Sequence, residues 1–277
     1  MSSSSIERLP QHKRTKSAIP PSIIPEETSE SLAKLDAIPR RFFVRYYEEN
    51  GRNFPWREAG VTPYSILLVE MMLRQTLAEM VAAVWPDFVA RYSTAAACAA
   101  ADVDELREFL QPLGLATQRA TAIREVSITL QKRYHGRVPK SVDDLFALPH
   151  VGLYAAHAVA CFAYRQRVPI ADVNVLRLLT RYTSQIMSVD IRRGKTVWIM
   201  ARHILPIRDA RAHNYGLLDF CATVCKPREP DCPNCPLAAG CDTGRTVLGQ
   251  FGAANLSERS RFCGKRALPT QHLAVRV

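Results

Sequence analysis

The sequence predicts an all-α protein. From Phe42 to Cys241, apolar residues recur at three- and four-residue spacing, the alternating pattern of strands is missing, and Gly and Pro mark several connections. The chain has 277 residues, of which 47% are hydrophobic. That size and composition allow a sizeable core, arranged as one or two closely packed domains.

The bounds of each predicted helix are the first and last residues of a stretch in which apolar residues recur at helical spacing. Ser141 stands at the position of an N-cap for one of them. The expected helices cover residues 64–84, 103–110, 120–134, 142–148, 154–163, 173–182, 196–204 and 214–221.

Both ends of the chain differ in composition from the helical part. Residues 1–36 are rich in Ser, Pro, Lys and Glu, which predicts a disordered tail because such a segment buries too little apolar surface to offset its ordering entropy. Residues 242–277 carry scattered Arg and Lys with little helical spacing. We expect an irregular, basic C-terminal extension there.

Charge and the N-terminal residues indicate the compartment and the class of partner. The formal net charge is +11, which favours polyanions because Lys and Arg placed against phosphates release condensed counterions. Met1 to Pro10 contain no apolar core of signal-peptide length, and no later run is suited to crossing a bilayer. We therefore expect a cytoplasmic, nucleoid-associated protein without a membrane partner.

Four of the eight cysteines form a cluster in the sequence, with the spacing C-x6-C-x2-C-x5-C. The cluster consists of Cys225, Cys232, Cys235 and Cys241. Four thiolates over so short a span can ligate one metal centre, and the single short pair with interspersed prolines suits an iron–sulfur cluster better than a structural zinc.

This spacing, with the upstream NYGLLDFCATVC, resembles the cluster loop of the helix-hairpin-helix (HhH-GPD) DNA glycosylases of the endonuclease III and MutY type. The resemblance implies a two-lobed fold and a structural [4Fe-4S] cluster, with Cys221 outside the ligand set. It assigns residues 37–62 and 169–241 to the cluster lobe and residues 63–168 to a helical lobe. It also implies that Lys226 and Arg228 contact the DNA backbone, although two solvated charges on a loop would look the same.

The segment LPHVGLY, between two predicted helices, makes the hairpin. Such a turn exposes N–H groups at the start of its second helix, so His150, Val151 and Gly152 are predicted to hold a DNA phosphate. The stretch resembles the family's L-P-G-V-G hairpin. His150 replaces the first glycine, and a side chain there is expected to strain the backbone.

Asp172 precedes the amphipathic helix that follows the hairpin, where a carboxylate is both a cap and a candidate catalyst. By resemblance, Asp172 is the essential aspartate of the superfamily and Asn174 is its supporting polar residue. Relatives that also cut the strand carry a lysine where this chain has Tyr154. The resemblance therefore implies hydrolysis of the base with little or no strand cleavage.

Glu70 is the one acid in the apolar segment PYSILLVEMMLRQT, where burial can keep a carboxyl protonated as a general acid requires. The alternative is an ion pair with Arg74 at i+4. VEMMLRQT resembles the helix whose glutamate faces the everted base in MutY-type adenine and thymine mismatch glycosylases. The resemblance makes Arg74 and Gln75 the side chains that fill the vacated space in the DNA.

The substrate is the least determined feature. The loop PLGLATQRA, which supplies Leu115 and Gln118 as further DNA-binding candidates, resembles the branch that removes thymine or uracil opposite guanine. The shortness of the segment after Cys241 favours the same branch, because adenine enzymes normally append a further domain. Excision of adenine opposite guanine or 8-oxoguanine stays open, as does a noncatalytic module that binds damaged DNA. We expect a monomer whose partner is double-stranded DNA with a mismatch.

Overall fold

A computed structural model of the chain describes residues 26–187 and 194–254. Every regular element within these ranges is helical and none is a strand, as the sequence predicted. The α-helices are α1 Glu26–Leu35, α2 Phe42–Asn50, α3 Pro63–Met72, α4 Ala78–Arg91, α5 Ala95–Ala100, α6 Val103–Leu110, α7 Ala116–Tyr134, α8 Val142–Phe146, α9 Leu153–Phe162, α10 Val173–Thr183, α11 Lys195–Ile204, α12 Ala210–Thr223 and α13 Asp242–Ala254.

Most of the predicted helices are confirmed. Helix α6 has the predicted bounds, and α8 to α12 differ from prediction by a few residues at their ends. The predicted cap of α8 is present, since Ser141 Oγ accepts a hydrogen bond from Asp144 N at 3.4 Å. Local signals were sufficient for these elements because caps and apolar spacing lie within the helices themselves.

The expected single helix over residues 64–84 is wrong, because the chain forms α3 and α4 with a loop at residues 73–77. Gln75 in that loop has a left-handed backbone with φ of 55°. The carbonyls of Met71 and Met72, which a longer helix would bond to its own amides, accept hydrogen bonds from Arg119. A contact from a distant part of the sequence thus ends α3.

Both predicted irregular ends contain a helix. Residues 26–35 of the expected tail form α1, in which Leu35 is 1% exposed within the core. Residues 242–254 of the expected irregular extension form α13, and Gly244 N donates to Cys241 Sγ at 3.3 Å. Packing against other elements outweighs the polar composition in both cases. Residues 1–25 and 255–277 lie outside the described residues.

The buried side chains form two clusters. The larger is built mainly from α3 to α9, and the smaller mainly from α1, α10, α11 and α12 with Phe43 of α2. Phe54 and Trp56, which lie in the segment that the resemblance assigned to the cluster lobe, belong to the larger cluster of buried residues. Glu70 and Tyr154 lie on elements of the larger cluster, whereas α10, which follows Asp172, belongs to the smaller.

Helix α2 packs closely along α12. A Cβ atom added to Gly216 of α12 would lie 1.9 Å from the carbonyl oxygen of Phe43, so only glycine permits this approach. Among the described helices, none combines the length and the apolar character that a membrane span requires.

Candidate active site

Asp172 caps α10, as its position in the sequence predicted. Its Oδ1 accepts from the backbone N–H groups of Asn174 at 2.9 Å and Val175 at 2.8 Å, and its Oδ2 accepts from Asn174 Nδ2 at 2.7 Å. Three donors and the N-terminal end of the helix dipole hold this carboxylate in place. The residue is half-buried.

Asn174 connects this cap to the cysteine-rich loop. Its Oδ1 accepts from Arg177 Nη1 at 2.9 Å, and Arg177 Nε and Nη2 donate to the carbonyl oxygen of Cys225 at 3.1 and 2.9 Å. Because a planar guanidinium holds both partners at once, the position of the Asn174 amide depends on that of the loop.

Glu70 is buried in α3, at 5% exposure. Burial, and then the negative charge of Asp172, raise its pKa to about 8, while the charge of Arg57 opposes them. Among the described residues, its Oε2 has no hydrogen-bond partner. Arg74 does not form the alternative ion pair, since its Nη1 donates to the carbonyl oxygen of His150 at 3.4 Å. Glu70 is therefore largely protonated at neutral pH, and one of its buried oxygens has no hydrogen-bond partner among the described residues.

Tyr154 lies in the first turn of α9, close to both acids. Burial raises its pKa well above the usual value, and the charges of Glu70 and Asp172 raise it further. The phenol therefore stays protonated. Electrostatic interactions thus link three residues that are up to 102 positions apart in the sequence.

An arginine–aspartate pair beside this group was not predicted from the sequence. Arg57 Nη1 and Nη2 donate to the two carboxylate oxygens of Asp219 at 2.7 and 2.9 Å, and Arg52 Nε donates at 2.7 Å. Burial alone would raise the pKa of Asp219, but the hydrogen bonds and charges of the two arginines lower it below the usual value. Arg57 also lies 4.4 Å from the ring centroid of Tyr215. Arg57 lies in the segment FPWRE, which carries no sequence signal for a partner 162 positions away.

The hairpin joins α8 to α9. His150 has a left-handed backbone with φ of 60°, the strain that its replacement of glycine predicted, and its Nε2 lies 2.7 Å from Glu125 Oε2. Val151 is buried and its N–H donates to the carbonyl oxygen of Leu148 at 3.4 Å. Gly152 is exposed at the N-cap position of α9 and, as a glycine, has no side chain to cap that helix. The first-turn N–H groups of α9 are thus suited to an anion.

The remaining DNA-binding candidates near the hairpin lie on two adjacent loops. Arg74 and Gln75 are exposed on the loop between α3 and α4. Leu115 and Gln118 are exposed where α7 begins, and Leu115 has a φ of 49°. The two loops touch, since Thr76 Oγ1 donates to the carbonyl oxygen of Leu113 at 3.1 Å.

The four predicted ligand cysteines line one cavity. Its space free of protein atoms, including the part open to solvent, is about 380 Å³, and its walls include Leu178, Tyr182, Phe220 and Leu237. Among the described residues, no three potential ligands are close enough to hold a single ion. A four-iron cluster separates its thiolates more widely than one ion does, so a shared cavity with apolar walls fits a cluster.

Lys226 and Arg228 lie on the loop between the first two cysteines, with Arg228 exposed and Lys226 half-buried. Arg181 fixes this loop by donating to the carbonyl oxygens of Lys226 at 2.7 Å and Pro227 at 3.0 Å.

Comparison with known proteins identifies the family. The model described as "HhH-GPD superfamily base excision DNA repair protein" matches residues 68–187. A thymine/uracil-DNA glycosylase of Pyrobaculum aerophilum is 36% identical over 206 residues, which cover 72% of this chain and 88% of that enzyme. The chain belongs to the HhH-GPD superfamily.

Within the HhH-GPD superfamily, relatives with different substrates are about equally similar. An adenine DNA glycosylase of Mycobacterium tuberculosis is 38% identical over 195 residues, which cover 70% of this chain and 64% of that enzyme. The chain thus spans somewhat less than two thirds of the length of that adenine DNA glycosylase. The structure of a thermostable thymine-DNA glycosylase has a TM-score of 0.69 at 28% identity, covering 79% of this chain and 97% of the other.

A trapped endonuclease III–DNA covalent intermediate shares the HhH-GPD fold, with a TM-score of 0.67 at 22% identity over 80% of this chain and 98% of the other. The superfamily includes iron–sulfur glycosylases.

Proposed function

We propose that this protein is a monofunctional DNA glycosylase of base excision repair that hydrolyses the N-glycosidic bond of thymine or uracil mismatched with guanine. The observation that carries the proposal is a capped aspartate, Asp172, beside a buried, protonated glutamate, Glu70, next to the family's DNA-binding hairpin. Two carboxyl groups in such different surroundings can take different roles, one at the sugar and one at the base.

Asp172 would act on the sugar. As the bond to the base breaks, positive charge develops on the deoxyribose, and a fixed carboxylate nearby stabilises it. Because two backbone amides and the Asn174 amide already hold the carboxylate, little reorganisation accompanies the reaction. The same group can orient or activate the attacking water.

Glu70 would act on the base. A carboxyl with a pKa of about 8 is largely protonated at neutral pH and can donate to the departing base. Its unpartnered oxygen supports this role, because a buried polar atom without a partner is costly unless a ligand or water satisfies it.

Tyr154 supports hydrolysis without strand cleavage. Strand cleavage in this superfamily requires an amine that forms a Schiff base with the sugar, and the residue at that position here is a phenol held protonated by burial and two nearby acids. Tyr154 would instead help to confine the everted nucleotide between Glu70 and Asp172.

We also propose that Cys225, Cys232, Cys235 and Cys241 hold a [4Fe-4S] cluster. The shared cavity and the spacing support it. When bound, the cluster would fix the loop that carries Lys226 and Arg228, and those side chains would contact the DNA backbone.

The preference for thymine or uracil is supported by the loop at residues 112–120, which lacks the paired aromatics of the adenine branch and presents Leu115 at 49% exposure. The likeness to a thymine-DNA glycosylase structure agrees with it. Adenine is the second candidate, because an adenine DNA glycosylase is 38% identical to this chain.

A base-release assay separates these functions. Duplexes containing T·G, U·G, A·G or A opposite 8-oxoguanine would be incubated with the protein and then treated with alkali, which cuts abasic sites; omission of alkali tests strand cleavage. We expect release from T·G and U·G with no cleavage before alkali. An Asp172→Asn preparation controls for contaminating glycosylases. Release of adenine alone would support the second candidate, and mismatch binding without release would indicate a noncatalytic module.

A further inference from the structure

Arg119, in the first turn of α7, is a buried cation at 6% exposure. All of its N–H groups have acceptors within the protein. Nε donates to the carbonyl oxygen of Gly114 (2.9 Å), Nη1 to those of Met71 (2.9 Å) and Met72 (2.8 Å), and Nη2 to that of Arg74 (2.6 Å) and to Thr76 Oγ1.

These acceptors come from two segments. One is the end of α3 with the loop at residues 73–77, and the other is the turn at residues 113–115 before α7. The carbonyls of Met71 and Met72 belong to the last turn of α3, where a helix leaves its carbonyls without internal partners. Among the described residues, no carboxylate lies within ion-pair distance of Arg119, so the negative end of the α3 dipole is what offsets its charge. A buried cation is a costly way to stabilise a core. Its five donors in one plane are, however, suited to fixing several carbonyls at set positions.

The two fixed segments carry exposed residues in strained conformations. Gln75 has a φ of 55° and Leu115 a φ of 49°, and neither is a glycine. Such conformations persist only where the surroundings over-determine them, and they concentrate at ligand-binding sites. Thr76 adds to the restraint, since its hydroxyl meets Arg119 and the carbonyl oxygens of both Arg74 and Leu113.

We propose that Arg119 is a positioning residue that locks the loop at residues 73–77 to the turn at residues 113–115, so that Gln75 and Leu115 enter the DNA as one rigid plug. The inference rests on the proposed DNA-binding roles of those two side chains. A rigid plug stabilises the everted state because the two side chains lose less freedom when they enter the space that the base has left.

A double-mutant cycle tests the functional part. Arg119→Lys keeps a charge but has three flexible donors in place of five fixed ones. We expect Arg119→Lys and the plug variant Gln75→Ala/Leu115→Ala each to raise the apparent Kd for a T·G duplex about 10-fold or more and to reduce the fluorescence of 2-aminopurine next to the mismatch, a measure of base eversion. The combination of Arg119→Lys with the plug variant should bind within about 3-fold of the plug variant alone. Penalties that multiply would overturn the inference.

Two further comparisons separate positioning from loss of fold. The Arg119→Lys penalty should shrink when the target thymine lies opposite an abasic analogue, because a base without a partner everts easily. An equal penalty on both duplexes would contradict the inference. Arg124→Lys is the matched control, since Arg124 lies on the same helix and donates to the carbonyl oxygen of Ala101, away from both loops.

Hydrogen exchange tests the structural part without DNA. Arg119→Lys should speed exchange of amides in both segments, 73–77 and 113–115, whereas Arg124→Lys should not. If Arg119→Lys fails to fold, Thr76→Val removes one contact of the same network and Thr76→Ser keeps it. Faster exchange in one segment only, or in neither, would overturn the inference. The two proposals can fail separately. If the wild-type protein neither binds mismatched DNA nor releases a base, the proposed function is refuted. If Arg119→Lys still speeds exchange in both segments, the locking of the two loops by Arg119 stands.

Discussion

Asp172 lies near enough to Glu70 for its negative charge to add to burial in raising the pKa of the glutamate to about 8. The two carboxyls have different surroundings, since three N–H donors hold Asp172 whereas one oxygen of Glu70 has no partner among the described residues. Glu70 is therefore the member of the pair that is largely protonated at neutral pH.

The first prediction concerns the pH dependence of base release. Glu70 must be protonated to donate, and it loses its proton as the pH rises through about 8. The single-turnover rate constant at saturating protein should therefore be level near neutral pH and fall about tenfold per pH unit on the alkaline side. Alkali treatment after quenching keeps the detection step independent of reaction pH. A rate that is unchanged at about pH 9.5 would remove Glu70 as the acid.

The second prediction concerns stability. Between the ordinary pKa of 4.5 and about 8, folded Glu70 holds a proton that the unfolded chain releases, so this residue lowers the free energy of unfolding as the pH rises. Glu70→Gln should remove that loss, stabilising the protein at pH 7.5 by about 4 kcal/mol while abolishing turnover. The gain should grow from about pH 5 to pH 8 in urea denaturation.

The matched control for this variant is Glu125→Gln, because the Glu125 side chain is 53% exposed and should change stability little. A Glu70→Gln protein less stable than wild type across that pH range would show that the carboxylate contributes a favourable interaction instead of a burial cost.

Local features of the fold could be predicted from the sequence. Ser141 and Asp172 each precede an apolar repeat, and both cap a helix, because a cap involves residues only two or three positions apart. Glu70 stood out because a single acid in an apolar run must be buried if the helix is buried.

Features set by distant contacts could not be predicted. The break after Met72 depends on Arg119, which lies 47 positions further along the chain. The pairing of Arg57 with Asp219 joins residues 162 positions apart. Helix α1 forms in a polar segment because Leu35 enters the core. Composition and periodicity carry no information about such partners.

The third prediction concerns Asp172→Asn. The asparagine keeps one oxygen to accept from the amides of Asn174 and Val175, so the cap should survive and the melting temperature should change little. The lost charge should slow base release at least about 100-fold. Mismatch affinity, measured by fluorescence anisotropy, should stay within about 3-fold of wild type. Turnover near the wild-type rate would refute the catalytic assignment.

The fourth prediction concerns the cysteines. The protein purified without oxygen should contain four iron and four acid-labile sulfide per chain, and Cys232→Ser should lose most of both. Cys98→Ala is the control, because Cys98 is buried outside the ligand set. Variants that lose the cluster should bind mismatched DNA more weakly, because the loop carrying Lys226 and Arg228 would no longer be fixed. Zinc in place of iron would contradict the proposed cofactor.

The fifth prediction uses Gly152 to separate DNA binding from folding. Its backbone is extended, with φ of −83°, and a Cβ atom added there would meet nothing within 4 Å. Packing therefore does not require glycine, and Gly152→Ala should leave the free energy of unfolding unchanged or raise it by about 0.5 kcal/mol.

The same methyl group would project into the space beside the first-turn N–H groups of α9, where a phosphate is proposed to bind. Gly152→Ala should therefore weaken binding about 10-fold on matched and mismatched duplexes alike, since phosphate contacts carry no base specificity. Gly249→Ala is the control, because a Cβ atom there also meets nothing within 4 Å and the residue lies on α13. Full DNA affinity in a folded Gly152→Ala protein would place the phosphate elsewhere.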